Sequence, residues 1–354
     1  MKGLILSGGK GTRLRPLTHT SAKQLIPIAN KPVLFYAVEA MVDAGIKDIG
    51  IIVGETKDEI EEAVGDGSTW GAKIKYILQE EPRGLAHAVL VAKDYLDGEP
   101  FVMFLGDNLI KGGIVDFVAE FRKEKPNALI LLTPVKNPSE FGVAELIDGR
   151  VVRLEEKPKE PKSNLALVGV YIFDKNIMKA ASSIKPSLRD ELEITDAIQH
   201  LIDSGLQVKP HIVKGWWKDT GKLEDILEAN RILLEGIEPE IIGKVDEKSK
   251  IFGRVRIEKG AEIINSNIRG PAVIGENTKI IDSYIGPFTS VYYNVSITKS
   301  EIEHSIILEN STLLEIGSRL EDSLIGKDVT VYKVHTKPKA YKLMLGDHSL
   351  VGII

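Results

Sequence analysis

Near its start the chain sets cations among glycines: Ser7-Gly8-Gly9-Lys10-Gly11-Thr12-Arg13, then Lys23-Gln24. Glycine lets the backbone come close to a ligand and adopt positive φ, so successive N–H groups can converge on an anion. Arg13 adds a planar, permanently charged fork that matches phosphate oxygens. Lys23 brings another cation, beside an amide that can both donate and accept. Together these residues describe a site for a nucleoside triphosphate. The stretch is neither the Walker pattern, which needs Gly-Lys followed by Ser or Thr, nor a clean dinucleotide fingerprint. Two carboxylates extend the chemistry. Asp107 follows the apolar run 101–105, and a carboxylate at the end of a strand is placed to hold a magnesium ion bridging nucleotide phosphates. Asp219, in Trp216-Trp217-Lys218-Asp219-Thr220-Gly221, is the matching acid. Either aspartate alone reads as an ordinary turn residue.

The elements that must position these groups alternate from Lys2 to about Phe173. The run Leu4-Ile5-Leu6 predicts a buried strand that stops at the glycines. Lys31-Pro32 opens a helix over 33–44 that Gly45 ends. Strands are expected at 49–53, 73–78, 101–105 and 128–133, and helices at 57–64, 85–96 and 114–123. A hairpin turn falls at Ile147-Asp148-Gly149-Arg150, residues 189–196 start a helix, and the strand 208–213 precedes Asp219. Such alternation implies an α/β domain with a mainly parallel, Rossmann-like sheet covered on both faces. Ligands of such sheets bind beyond the carboxyl ends of the strands, where Gly8, Gln79 and Asp107 all fall.

The 354 residues suffice for one large domain or two. A net charge of −5 excludes a general nucleic-acid binder, so the loop cations are read as local phosphate contacts. There are no cysteines, which excludes disulfides and thiolate metal sites. No signal peptide or membrane-length apolar segment is expected, which points to a cytoplasmic protein without a membrane partner.

The ordered series GGKGTRLRPLT, AKQLIPI and NKPVLFYAVEAM resembles the sugar-1-phosphate nucleotidylyltransferases, whose signature is GGxGTRLxPLT followed by a lysine-bearing loop. The Lys23-Gln24-Leu25 variant is most similar to members that use thymidine nucleotides. The resemblance implies joining of glucose 1-phosphate to dTTP, with release of pyrophosphate and with Mg2+ held by Asp107 and Asp219. It implies Arg13 and Lys23 as the catalytic cations. Leu6, Gly8, Gly9, Gly11, Thr12, Gln24, Gln79, Pro82 and Gly84 would bind the nucleotide, Gln24, Gln79 and Gly84 reading the base. The sugar phosphate would meet Asp107, Gly142, Glu156, Lys157, Val168 and Gly169, with Glu156 accepting sugar hydroxyls and Lys157 neutralising the phosphate. Two departures stand out: Phe141 where tyrosine is usual, and Asp190 where glycine is usual in the GELEITD box.

Beyond Gly236 the character changes. Ser-x-Ile/Leu-type triplets recur at Ser266, Ser283, Ser300 and Ser323, spaced 283 − 266 = 17, 300 − 283 = 17 and 323 − 300 = 23. Branched aliphatics recur near every sixth residue, at Ile274, Ile280, Ile285, Val291, Ile297 and Ile302. This predicts a left-handed hexapeptide-repeat β-helix over 237–354, with a C-terminal tail from 333, after a catalytic domain over 1–236. Side-by-side packing of β-helices makes a homo-oligomer the expectation. Three other readings stay open. UTP could replace dTTP, with glucose or N-acetylglucosamine 1-phosphate, because thymine and uracil share the edge the glutamines would read. The β-helix could transfer an acetyl group, with His304 as its candidate base. The chain could also be a non-catalytic assembly subunit.

Overall fold

A computed structural model describes residues 1–9, 11–337 and 340–353. The chain divides into two compact units. The first holds residues 1–10, 21–25 and 33–219; the second holds 11–20, 26–32 and 220–354.

The strands of the first unit are β1 (Lys2–Leu6), β2 (Asp48–Val53), β3 (Lys73–Leu78), β4 (Phe101–Leu105), β5 (Asn108–Ile110), β6 (Ala128–Pro134), β7 (Gly142–Ile147), β8 (Arg150–Glu156), β9 (Leu165–Phe173), β10 (Val208–Ile212) and β11 (Trp217–Asp219). All but β5 and β11 form one nine-stranded sheet in the order β8-β7-β9-β4-β1-β2-β3, with β6 pairing β9 and β10. The centre is parallel: β1 runs beside β2 and β4, with Leu6 opposite both Ile52 and Leu105. Strands buried on both faces need continuous apolar runs, and Leu4, Ile5, Ile51, Ile52, Met103 and Phe104 supply them. One apolar cluster runs from Leu4 and Met103 to Ile198, and another from Ile5 and Val102 to Leu129. The helices α1 (Val33–Asp43), α2 (Leu85–Val91), α3 (Lys93–Leu96) and α4 (Ile194–Asp203) lie in this unit.

Several local outcomes differ from the sequence reading. The helix expected over 33–44 is α1, but Lys31-Pro32 just before it form a two-residue strand paired with Pro27–Ile28. The expected helix over 85–96 is broken at Ala92. Residues 189–193 precede α4 rather than starting it, and Asp190 sits at φ 60. That is the left-handed region glycine favours, which gives the usual glycine of this box a physical reason.

The second unit is a left-handed β-helix built of three parallel sheets with six, six and four strands. Ile251, Ile268, Ile285 and Ile302 align in one column by register. Ile274, Ile280, Ile285, Val291, Ile297 and Ile302 are all fully buried in its core. The recurrent serines have a clear purpose. Ser266 Oγ donates to the Ile264 carbonyl at 2.7 Å and accepts the Ser283 N–H at 3.0 Å. Ser283 Oγ likewise accepts the Ser300 N–H at 3.1 Å. Each hydroxyl stitches one coil to the next at a corner where the backbone lacks a sheet partner. Helix α5 (Leu223–Leu234) also belongs to this unit. No helix among the described residues is long and apolar enough to cross a membrane.

Candidate active site

Where β1, β2 and β4 end, their backbones close on one another. Ser7 N–H donates to the Ile52 carbonyl at 2.8 Å, Gly106 N–H to Leu6 at 2.9 Å, and Gln79 N–H to Val53 at 2.8 Å. A Cβ on Gly8 would lie 3.3 Å from Gln79 Oε1, and one on Gly9 would lie 3.4 Å from Lys23 Cε. The two glycines thus admit an amide on one side and an ammonium on the other. The sheet's carboxyl edge carries Gly8, Gln79 and Asp107, and Lys23 reaches it beside Gly9.

Lys23 begins a 3-10 turn over Lys23–Leu25 and its ammonium pairs with Asp107 Oδ2. Their side chains are only 16% and 13% exposed, so the pair is mostly withdrawn from water. Burial opposes ionisation of Asp107. The Lys23 ammonium and hydrogen bonds from Lys23 and Asn108 outweigh burial and hold the carboxyl below its ordinary range. Asn108 Nδ2 donates to Asp107 Oδ1 at 3.0 Å, and Trp217 Nε1 donates to Asn108 Oδ1 at 2.7 Å. Phe141 packs edge-on against Trp217. This chain of contacts was not anticipated from the sequence, although Trp217 stands within the motif that gave Asp219. Antiparallel pairing of β11 with β5 sets Asp219 opposite Asn108, one residue from Asp107.

Beyond β3, Gln79 Nε2 lies 3.0 Å from His87 Nδ1 and 3.4 Å from the Gly84 carbonyl. Gly84 adopts φ 98, and a Cβ there would come 2.5 Å from the Leu192 carbonyl oxygen. Only glycine fits this approach, which ties the Pro82–Gly84 turn to Leu192; Pro82 itself is exposed. Gln24 is almost fully buried, and its Oε1 has no hydrogen-bond partner among the described residues. A buried acceptor left open in a native protein is uncommon.

The other carboxylate corner is built on β7, β8, β9 and α4. A Cβ on Gly142 would meet Thr195 Cγ2 at 2.7 Å and Glu156 Oε2 at 3.0 Å. Burial raises the Glu156 pKa and the neighbouring Glu193 raises it further, against the opposing pull of Lys157 and Arg189. Arg189 Nη2 holds Glu193 at 2.8 and 2.9 Å and reaches Glu156 Oε1 at 3.3 Å. Arg189 and Glu193 were legible only as part of a helix start; their role in supporting Glu156 was not. Lys157 adopts φ 45 and its N–H donates to the Phe141 carbonyl at 3.0 Å. Val168 is buried, and Gly169 (φ 75) lies at the register shift of β9, where a Cβ would fall 2.9 Å from Asn108 Oδ1. The β9 irregularity therefore lies against the Asp107 corner.

Gly11, Thr12 and Arg13 belong to the second unit. Gly11 adopts φ 62, its carbonyl accepts from Leu14 N–H at 3.0 Å and from Thr18 Oγ1 at 2.7 Å, and Arg13 is exposed.

The nucleotidyl transferase family model matches residues 2–236. A glucose-1-phosphate thymidylyltransferase of Streptomyces antibioticus is 57% identical over 100% of this chain and 99% of its own length. That of Streptomyces griseus is 54% identical with the same coverage. A crystal structure of a putative glucose-1-phosphate thymidylyltransferase from Bacillus anthracis is 35% identical, with a TM-score of 0.63 over 68% of this chain and 98% of that one. A match of this length and identity leaves one assignment: the chain belongs to the nucleotidyl transferase family, alongside its glucose-1-phosphate thymidylyltransferases.

Proposed function

We propose that the protein is a nucleotidyltransferase that joins glucose 1-phosphate to dTTP, giving dTDP-glucose and pyrophosphate. The observation that carries this reading is the buried Lys23–Asp107 pair set between Gly9 and the end of β4, with the open acceptor of Gln24 beside it. A thymine ring presents an N3–H between two carbonyl oxygens. Gln24 Oε1 would accept that N–H, while Gly8 and Gly84 let the base and triphosphate approach the backbone. Leu6, Gly9, Pro82 and Gln79 would complete the nucleotide pocket, with Gly11 and Thr12 on the phosphates. Uracil presents the same edge, so UTP is the competing nucleotide.

The donor set suits Mg2+. Asp107 is held ionised, and β11 brings Asp219 within one residue of it in register. Among the described residues no group of three or more acidic or histidine side chains could hold a metal. Two carboxylates with phosphate oxygens and water are the usual surroundings of a nucleotide-bound magnesium. When bound, the ion would supply charge neutralisation at the α-phosphate and the leaving group.

The protein's own groups position two anions and spread their charge. Lys23 would exchange Asp107 for an α-phosphoryl oxygen. Lys157 would hold the sugar phosphate whose oxygen attacks the α-phosphorus in line, and Arg13 would stabilise departing pyrophosphate. That nucleophile is already ionised near neutral pH, so no general base is needed. Glu156 would accept sugar hydroxyls, with Gly142, Val168 and Gly169 walling the sugar. We take residues 1–236 as the catalytic domain and 237–354 as the β-helix domain of a cytoplasmic homo-oligomer. The exposed Ile241, Ile242 and Phe252 support assembly through the β-helix. Acetyl transfer is not favoured, because His304 Nε2, the atom that would take the proton, is buried.

The test is pyrophosphate release with magnesium, scanning dTTP, UTP, ATP, GTP and CTP against glucose 1-phosphate and N-acetylglucosamine 1-phosphate. Preference for dTTP with glucose 1-phosphate is expected. Preference for UTP with the amino sugar, or no release from folded protein, would overturn the assignment.

A further inference from the structure

The loop that carries Arg13 is shaped by contacts within the second unit. Residues 11–20 cluster with the β-helix although only residues 7–10 separate them from β1 in the chain. Inside the loop, Leu14 is buried while Arg13 is exposed, and both Leu14 N–H and Thr18 Oγ1 close on the Gly11 carbonyl. Outside it, three contacts hold the far side. Leu17 Cδ2 lies 3.2 Å from where a Cβ on Gly326 would be. Lys327 Nζ reaches the Thr20 carbonyl at 3.4 Å, and the rings of His19 and His348 stack at 5.9 Å. Gly326 is itself anchored, because the fully buried Ser311 donates Oγ–H to its carbonyl at 2.8 Å and accepts the Val329 N–H at 3.1 Å. Segment 26–32, on the other side of Lys23 and Gln24, is tied down in the same way. Asn230 Oδ1 accepts from Ala29 N–H at 2.9 Å and from Ser290 Oγ at 2.6 Å, its Nδ2 donates to Phe288 O at 3.1 Å, and Asn30 Nδ2 donates to Val291 O at 2.8 Å.

We infer that the last β-helix coil positions the Arg13 loop, with Gly326 and Leu17 as the positioning residues. The β-helix then serves catalysis as well as assembly. This rests on the reading of Arg13 as the pyrophosphate-binding cation. The Bacillus anthracis neighbour matches over 98% of its length while covering 68% of this chain. Family membership thus does not require a β-helix, and dependence on one would be a property of this longer chain. A side chain at Gly326 presses on Leu17 and so turns the whole 3-10 loop, whereas a change on the opposite end of the β-helix leaves it alone. Misplacing a charge-stabilising group by about 1 Å is enough to cost up to ~100-fold in rate.

The experiment is a double-mutant cycle in the full-length protein, Gly326→Val with Arg13→Ala, measuring kcat and both KM values with dTTP and glucose 1-phosphate. Gly326→Val should lower kcat by about 10-fold, with KM for glucose 1-phosphate within about 2-fold of wild type. In the Arg13→Ala background the same change should alter kcat by less than about 2-fold, because the group it acts through is gone. An equal loss in both backgrounds, or no loss in either, overturns the inference. Leu17→Ala, which empties the same contact instead of crowding it, carries the same cycle should Gly326→Val fold poorly. If Arg13→Ala alone leaves kcat near wild type, the role of Arg13 fails. If Arg13→Ala lowers kcat and Gly326→Val does not, only the positioning role fails.

Discussion

At the scale of single residues, the site depends on two carboxylates whose surroundings push them in opposite directions. Asp107 is held below its ordinary range mainly by Lys23, against the penalty of burial. Because the folded carboxyl ionises at lower pH than an unfolded one, its stabilising contribution is complete at neutral pH and is lost as pH falls below the ordinary carboxylate range. Asp107→Asn should destabilise the protein by about 3 kcal/mol at neutral pH, since it removes a carboxylate paired with a mostly buried ammonium. Denaturant titrations of both proteins at neutral and at acidic pH check this. The gap should shrink in acid, and a gap that stays constant speaks against the pair. Glu156 is the reverse case, raised by burial and by Glu193. Its ionised form costs stability once pH exceeds the unfolded carboxyl's value. Glu156→Gln should therefore raise the melting temperature at neutral pH while lowering kcat/KM for glucose 1-phosphate by roughly 10-fold, the scale of one charged hydrogen bond. A stabilised variant with unchanged sugar kinetics would remove Glu156 from the sugar site.

At the scale of elements, β5, β11 and the irregularity in β9 make Asp107 rigid. Trp217 Nε1 fixes Asn108, which fixes Asp107, while Gly169 leaves room for the Asn108 side chain. Trp217→Phe keeps the edge-on ring packing and deletes the donor. Leaving Asn108 Oδ1 unpaired should cost about 1–3 kcal/mol, and turnover should fall. Gly169→Ala should do worse, because a Cβ falls 2.9 Å from Asn108 Oδ1 at φ 75. Equal activity in the wild type and Gly169→Ala would show that Asn108 has no bearing on the reaction. Much of this was legible in sequence. Apolar runs such as Phe101–Leu105 marked strands because a doubly covered sheet requires them, and the glycines marked the edge where Gln79 and Lys23 come close. What stayed hidden was long-range. No local pattern reports that Trp217 pairs across β11 and β5 to Asn108, or that Arg189 supports Glu156 through Glu193. The break at Ala92 and the late onset of α4 likewise reflect tertiary packing rather than propensity.

At the scale of the whole molecule, a period of 17 residues was readable because each coil repeats the same corner. A serine hydroxyl there bonds two coils, and one aliphatic column fills the middle. Ser283→Ala leaves the Ser300 N–H without its acceptor and should cost about 1–3 kcal/mol, felt by neighbouring coils because a solenoid is stabilised through nearest-neighbour contacts. Hydrogen exchange should show faster exchange at Ser300; an unchanged rate there would contradict the serine ladder. By contrast, the grouping of residues 11–20 with the β-helix could not be seen in the sequence, because it joins segments about 300 residues apart. The central claim is that a sugar phosphate oxygen attacks the α-phosphorus of dTTP under the charge of Lys23. The most direct measurement follows dTTP labelled at its α-phosphorus, mixed with glucose 1-phosphate and magnesium, in wild type and in Lys23→Met. All label should enter the nucleotide sugar, pyrophosphate should be unlabelled, and the variant should be at least ~100-fold slower. Label left in dTDP with phosphate passed to the sugar, or an unimpaired Lys23→Met, would contradict the account.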